Sequence, residues 1–196
     1  AAIHPVVWMG RLVALLQRNR FASPKLQIAQ GIAVVLATVC AFVVPAVLIL
    51  ALLRELSVLA YFAVGTFLLK SSFSMRELLA AAFRVRDSLT QGDLARARWG
   101  LRSLVSRDTS SLSEPLVAAA TVESLAENAS DSFVAPCFFY LLFGIPGALA
   151  YRAVNTCDAM IGYRGEYEYL GKAAASLDDL LNWIPARLTA LLLVAS

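Results

Sequence analysis

The residues best suited to chemistry lie in the second half of the sequence. In TVESLAENASDSFVAP (121–136), Glu123, Glu127 and Asp131 stand at i, i+4 and i+8. On a helix that spacing puts one carboxylate per turn on a single face. Like charges so placed repel by about 0.2–0.5 kcal/mol per pair in water. A cation should compensate them, and Asn128 adds a neutral oxygen close to the same face. Hard oxygen ligands suit Mg²⁺. The alternative is a solvated acidic face paired with Arg96, Arg98 or Arg102. Adjacency to an apolar run, where charge is expensive, favours function.

A second set is SLDDLLN (176–182), in which Asp178, Asp179 and Asn182 can present oxygens to one cation at i, i+3 and i, i+4 spacing. On spacing alone, a helix start capped by Ser176 with acids in its first turn accounts for it better. A third is NTCDAMIGYRGEYEYLGK (155–172), where Asn155 and Asp158 lie one turn apart. There Tyr163, Arg164 and Lys172 stand among Gly162, Gly165 and Gly171, and can hold a large flat anion by stacking and charge-assisted hydrogen bonds. An aromatic belt at a membrane interface is the other account of these tyrosines. The glycine spacing matches no dinucleotide or Walker fingerprint. Arg107-Asp108-Thr109 reads as a loop ion pair or an anion site, and the lone His4 as structural.

These residues need positioning, and the composition indicates by what. Of 196 residues, 59% are AVILMFWYC and only 16% are charged, with mean hydropathy +0.69. A usual soluble domain is about a quarter charged. That excludes a disordered chain, a basic nucleic-acid module and an ordinary soluble domain. The three cysteines form no CxxC pair, so neither a disulfide framework nor a zinc site is suggested. The chain reads as an all-α, polytopic integral membrane protein.

Residues 26–53 carry no charge and exceed the roughly 20 residues that cross a bilayer in a helix. Residues 56–75 form the second span if Lys70 snorkels, with Arg54-Glu55 as the tight turn. Residues 76–132 read as amphipathic helices, one with Leu78, Leu79, Ala82, Phe83 and Leu89 on its apolar face and Glu77 facing solvent. A second helix, 94–105, is capped by Asp93, and a third starts at Ser113-Glu-Pro. The apolar stretch 133–157 is broken at Gly144-Ile-Pro-Gly147, either as a kinked span or as a re-entrant pair of half-helices. A polar loop and helix, 158–187, precede the start of a further span at 188–196, so the chain reads as a piece of a longer protein. The acid-free flank 1–25, with Arg11, Arg18, Arg20 and Lys25, places the amino end and 76–132 in the cytoplasm. A re-entrant pair keeps both acidic sets on that side, and its halves 133–143 and 147–157 then pack against 26–53.

Taken together, HPVVWMGR (4–11), SRDTSSL (106–112), ESLAENASDSFVAP (123–136), FGIPGALAYRAVNTCDAMIGYR (143–164) and LDDLLNWIPARLTA (177–190) resemble one family. It is the adenosylcobinamide-phosphate synthase family of cobalamin biosynthesis, the CobD/CbiB type. Cys137 and Cys157 depart from it, standing where larger aliphatic residues are expected. The resemblance implies a ligase of the bacterial cell membrane with its active site facing the cytoplasm. Such an enzyme joins (R)-1-aminopropan-2-ol phosphate, or the free amino alcohol, to a carboxyl of adenosylcobyric acid, using ATP and Mg²⁺. Glu123, Glu127 and Asp131 are then the catalytic candidates. Glu127, Asp131, Asp178, Asp179 and Asn182 are metal candidates. Arg107, Asp108, Asn128, Asn155, Asp158, Tyr163, Arg164 and Lys172 are candidates for substrate binding. Implied partners are the corrinoid, the amino alcohol phosphate and the lipid bilayer, with no nucleic acid; self-association into a homo-oligomer stays open. Two other classes fit the same features: a transporter built on a broken helix, and a Mg²⁺-dependent prenyl-transfer enzyme carrying the D-D-x-x-N set.

Overall fold

The computed structural model describes residues 4–18, 21–105, 108–163, 165 and 167–195. Among the described residues every regular element is helical: α1 (Pro5–Leu16), α2 (Pro24–Leu56), α3 (Val58–Ser71), α4 (Met75–Thr90), α5 (Leu94–Leu101), α6 (Glu114–Ala129), a π-helical turn (Ser130–Val134), α7 (Ala135–Ile161) and α8 (Lys172–Ala195). Three helical stretches, Pro24–Leu56, Val58–Thr90 and Glu114–Ile161, are long and apolar enough to cross a membrane. Only 22% and 17% of the most apolar windows in the first two are buried within the protein. Leu48, Leu52, Leu59 and Phe62 point outward. An apolar exterior of this extent fits a membrane protein.

The chain divides into two compact units. The first comprises residues 1–73 and 135–185, so it holds α1, α2, α3, α7 and most of α8. Pro5 starts α1, and its buried Met9 and Val13 face inward. Val13, Val34 and Val35 pack with Val154, Cys157, Ile161, Leu170 and Ala174, while Met9 and Ala46 pack with Leu149 and Ala153. The α2–α3 turn falls at Ser57 rather than at Arg54-Glu55. Ser57 is extended (φ −162°, ψ 113°) and its hydroxyl accepts from Ala60 N, which gives α3 an N-cap that the two charged residues do not supply. Arg54 and Glu55 stay helical. α3 itself ends at Ser71, Ser72 lies in a turn, and Met75 opens α4.

Gly144 interrupts α7 with φ 67° and ψ −158°, a backbone that a residue bearing Cβ rarely adopts. The interruption reverses the chain. Phe139 and Tyr151 would stand about 18 Å apart along a straight helix at 1.5 Å per residue. Their rings instead stack at 5.3 Å between centroids, 12° from parallel. Residues 135–143 and 145–161 are therefore two half-helices folded back at Gly144. The second half packs on α2, whereas Leu141 (80% exposed) and Phe143 (65%) turn much of the first half outward. The expectation that both halves bury themselves against 26–53 holds for the second alone.

The second unit comprises residues 74–134 and 186–196. Asp93 caps α5 by accepting from Arg96 N at 2.9 Å. Val85 of α4, Ala97 and Leu101 of α5, and Val117 and Ala120 of α6 form its core. The face that α4 buries is Leu78, Ala81, Ala82, Val85 and Ser88. Leu79 and Phe83 are exposed instead, and Arg86 lies over the Phe83 ring at 4.7 Å. Small side chains let the helices approach closely, while the large phenyl ring finds a cation on the outer face.

The two ends of the 162–171 loop meet at glycines. A Cβ on Gly171 would strike the Ile161 carbonyl, and one on Gly31 the Leu170 carbonyl. Gly31→Ala should therefore destabilise the full-length protein by ~1–3 kcal/mol, the usual cost of overpacking. Thermal unfolding in detergent measures it, and an unchanged midpoint would refute this contact.

Candidate functional site

The close contacts at Gly171 and Gly31 bring the end of α7 against the start of α8. Tyr151, Arg152, Asn155 and Asp158 then share the side of α7 that meets Asp178 and Asn182 of α8. Asp178 is only 7% exposed. Its Oδ1 accepts from Asn155 Nδ2 at 3.4 Å and its Oδ2 from Asn182 Nδ2 at 3.0 Å. Both amides are fixed in orientation from behind. Tyr151 donates its hydroxyl to Asn182 Oδ1 at 3.0 Å, and Arg152 donates Nη1 to Asn155 Oδ1 at 3.2 Å. The Tyr151 ring is in turn held by its stack on Phe139. A five-residue polar chain thus runs from the bend of α7 through a nearly dry carboxylate.

Burial pushes the Asp178 carboxyl above the ordinary carboxylate range. The Asn155 and Asn182 amides oppose that shift, neighbouring Asp179 adds to it, and Arg152 works against it. Asp158 lies within electrostatic range of both Asp178 and Asp179. Three carboxylates and one arginine leave the α7–α8 junction with an excess of negative charge and hard oxygen atoms, a donor set suited to Mg²⁺. Among the described residues, no group of three or more His, Cys, Asp or Glu side chains is placed to hold a metal by itself. Mg²⁺ usually takes one or two carboxylates and completes its shell with substrate phosphates and water, so this junction fits that ion as part of a phosphate complex.

The account of Asp178 and Asp179 as first-turn acids behind a Ser176 cap does not hold. The helix begins at Lys172, four residues earlier, and runs on through Pro185 to Ala195. LDDLLN and the apolar residues from 188 onward belong to one helix.

Glu123 and Glu127 are exposed on α6, but Asp131 is half-buried in the π-helical turn. That turn carries an extra residue relative to α-helical spacing, so Asp131 leaves the strict i, i+4, i+8 face. It also leaves Ser130 Oγ buried without a hydrogen-bond partner. Asn128 donates Nδ2 to Ser124 O at 2.8 Å. The proposed pairing of this face with Arg98 is not what its guanidinium does, since Arg98 Nε donates to Leu112 O at 2.7 Å. Asp108 closes its own loop, accepting from Ser110 N and Ser110 Oγ, each at 2.9 Å, and these bonds hold its carboxyl below the usual range. Tyr163 and Lys172 are exposed. Arg107 and Arg164 lie outside the described residues. Tyr151 and Arg152 are the two members of the junction that sequence reasoning missed. An arginine one turn before Asn155 in an apolar run was the available signal.

Because both amides are held as donors toward Asp178, its carboxylate must accept at both oxygens. Asp178→Asn puts an amide NH₂ against one of them and should cost ~1–3 kcal/mol, the range for an unsatisfied buried group. Asp179→Asn, at an exposed position, should stay within about 0.5 kcal/mol. Thermal unfolding of the two full-length variants compares them, and equal midpoints would contradict the network.

A sequence profile of the family described as CobD/Cbib protein matches residues 1–196. "Cobalamin biosynthesis protein CobD" of Dehalococcoides mccartyi (strain CBDB1) is 50% identical over 197 residues, covering 100% of this chain and 64% of that protein. "Probable cobalamin biosynthesis protein CobD" of Pyrococcus furiosus is 45% identical over 204 residues, covering 100% of this chain and 66% of its relative. The protein of the same name as the first from Chromobacterium violaceum is 42% identical over 200 residues, covering 96% and 61%. The chain spans about two-thirds of the length of these relatives. No solved structure matches.

Proposed function

Since the chain belongs to the CobD/Cbib family, we propose that the whole protein acts in cobalamin biosynthesis as an adenosylcobinamide-phosphate synthase. It joins a carboxyl of adenosylcobyric acid to the amine of (R)-1-aminopropan-2-ol phosphate, or of the free amino alcohol, as an amide. The enzyme sits in the cell membrane with its site on the cytoplasmic side. The observation that carries this reading is the α7–α8 junction. A chain matched by the family over its full length places a buried, doubly hydrogen-bonded carboxylate beside two others at one helix crossing.

The chemistry asks for such a place. A carboxylate does not condense with an amine until one of its oxygens becomes a leaving group. ATP supplies that by passing its γ-phosphoryl group to the carboxylate oxygen, and the amine then displaces phosphate at the acyl carbon. Phosphoryl transfer depends on positioning and on neutralising charge at phosphate oxygens. Mg²⁺ would supply that neutralisation, held by Asp178, Asp179 and Asn182, with Glu127 and Asp131 as a second oxygen set. Asn155 and Asn182 orient Asp178, and the Tyr151 and Arg152 bonds keep them in place. Glu123 serves as base for the proton that the amine loses. Asn128, Asp158, Tyr163 and Lys172 remain the candidates for holding substrate, together with Asp108, Arg107 and Arg164.

The half-helices folded back at Gly144 also suit a transporter, in which broken helices line the substrate site. One assay separates the readings. Purified full-length protein given adenosylcobyric acid, ATP, Mg²⁺ and aminopropanol phosphate should form the amide with one ADP per product. Uptake into vesicles without turnover would favour transport. Within that assay, Glu127→Gln should lower activity about tenfold or more and raise the Mg²⁺ concentration required, an effect of the size expected from removing a metal-binding charge. Glu55→Gln, at an exposed position on α2, should change neither. Equal behaviour of the two variants would mean that the α6 face holds no metal.

A further inference from the structure

The second unit contains a cavity of about 300 Å³ whose polar lining includes Ser74, Glu77, Arg84, Ser103, Asn128 and Ser132. Leu78, Ala81 and Leu104 supply its apolar wall. One end of its lining is tied together where α4 begins. Ser74 N donates to Ser132 O at 3.3 Å, and Ser74 Oγ donates to Ser132 Oγ at 2.9 Å, so the π-helical turn is tied to the start of α4. Glu77 belongs to this lining, although its place in the sequence reads as plain solvent-facing surface.

Charge is arranged here in an unusual way. Glu77 and Arg84 stand seven residues apart on one face of α4, about 10.5 Å along the axis at 1.5 Å per residue. They do not pair with each other, and among the described residues the ion pair on this helix is Arg86 with Asp87 at 2.8 Å. Asn128 uses its Nδ2 on Ser124, which leaves Oδ1 as an acceptor. The cavity therefore offers a carboxylate toward one end, a guanidinium toward the other, and hydroxyls along its wall, with no net charge. That pattern is poor for a nucleoside triphosphate, whose several negative charges would meet Glu77. It complements a short zwitterion, with an ammonium at one end and a phosphate at the other. The volume agrees, since about 300 Å³ is the small end of ligand pockets and far below what a corrinoid needs.

We propose that this cavity is the subsite for the amino alcohol phosphate, with Arg84 on the phosphate and Glu77 on the ammonium group. The assignment rests on the amide-forming reading above and adds to it the place where the smaller substrate binds. Arg84 is the element that distinguishes the phosphorylated from the free amino alcohol, because only the former presents an anion to it.

Full-length protein tests the assignment through separate KM values for aminopropanol phosphate, free aminopropanol and adenosylcobyric acid. Arg84→Ala should raise KM for the phosphorylated amine by about tenfold or more, the size of a lost charge-assisted hydrogen bond. It should leave KM for the free amine and for the corrinoid within about twofold. Glu77→Gln should raise KM for both amines and not for the corrinoid. Arg86→Ala, on the outer face, should change none of the three. Calorimetric titration of aminopropanol phosphate into the wild type and Arg84→Ala gives the same comparison as Kd values without turnover. An active wild type whose Arg84→Ala variant keeps its KM and Kd for the phosphorylated amine overturns the subsite alone, as does a parallel rise in all three KM values. A folded wild type that forms no amide and binds no aminopropanol phosphate overturns both the reaction and the subsite.

Discussion

Asp178 sits where a carboxylate is costly, nearly out of water in an apolar helical protein. Burial alone would drive such a group to take up a proton. What offsets that cost is a pair of carboxamides, each fixed as a donor because its oxygen already accepts from Tyr151 or Arg152. A buried network of this kind is valuable only when complete, since each member left without a partner incurs the full desolvation penalty. The bend of α7, the stack of Phe139 on Tyr151 and the start of α8 all serve that completeness.

The network can close only because backbone approaches backbone nearby. Gly171 lies against the Ile161 carbonyl and Gly31 against the Leu170 carbonyl, so the loop after α7 returns to begin α8 beside the end of α7. Gly171 sits among tyrosines in a segment whose composition suggests a ligand loop, and its place reflects the close approach of its backbone to the Ile161 carbonyl. Gly144 makes a different contribution, supplying a left-handed residue that lets residues 135–143 and 145–161 fold back on each other.

The all-helical class and the break at Gly144-Ile-Pro-Gly147 were legible in the sequence, because composition and helix-breaking residues act locally. The Asp93 cap was legible for the same reason. The α2–α3 turn was not, because charge at Arg54-Glu55 suggests an interface whereas the Ser57 hydroxyl supplies the cap. The buried face of α4 was misjudged by weighting large side chains. Ala81 and Val85 pack inward, while Phe83 pairs outward with Arg86. The acidic stripe on α6 assumes a constant 3.6-residue period, which the π-helical turn at Ser130–Val134 breaks before Asp131. Asp178, Asn182, Asn155 and Asp158 were each legible as candidates. Their union was not, since it depends on the crossing of α7 and α8, and a helical period says nothing about which helix lies opposite.

Metal-directed cleavage tests, without relying on turnover, whether a metal–phosphate complex is held where α7 meets α8. Full-length protein with ATP is loaded with Fe²⁺ in place of Mg²⁺, and ascorbate and peroxide then generate hydroxyl radicals at the bound ion. The account predicts backbone cuts near Asp158 and near Asp178–Asn182, suppressed by excess Mg²⁺ and weakened in Asp178→Asn. Cleavage that excess Mg²⁺ suppresses elsewhere in the chain, with none between residues 155 and 182, would contradict it.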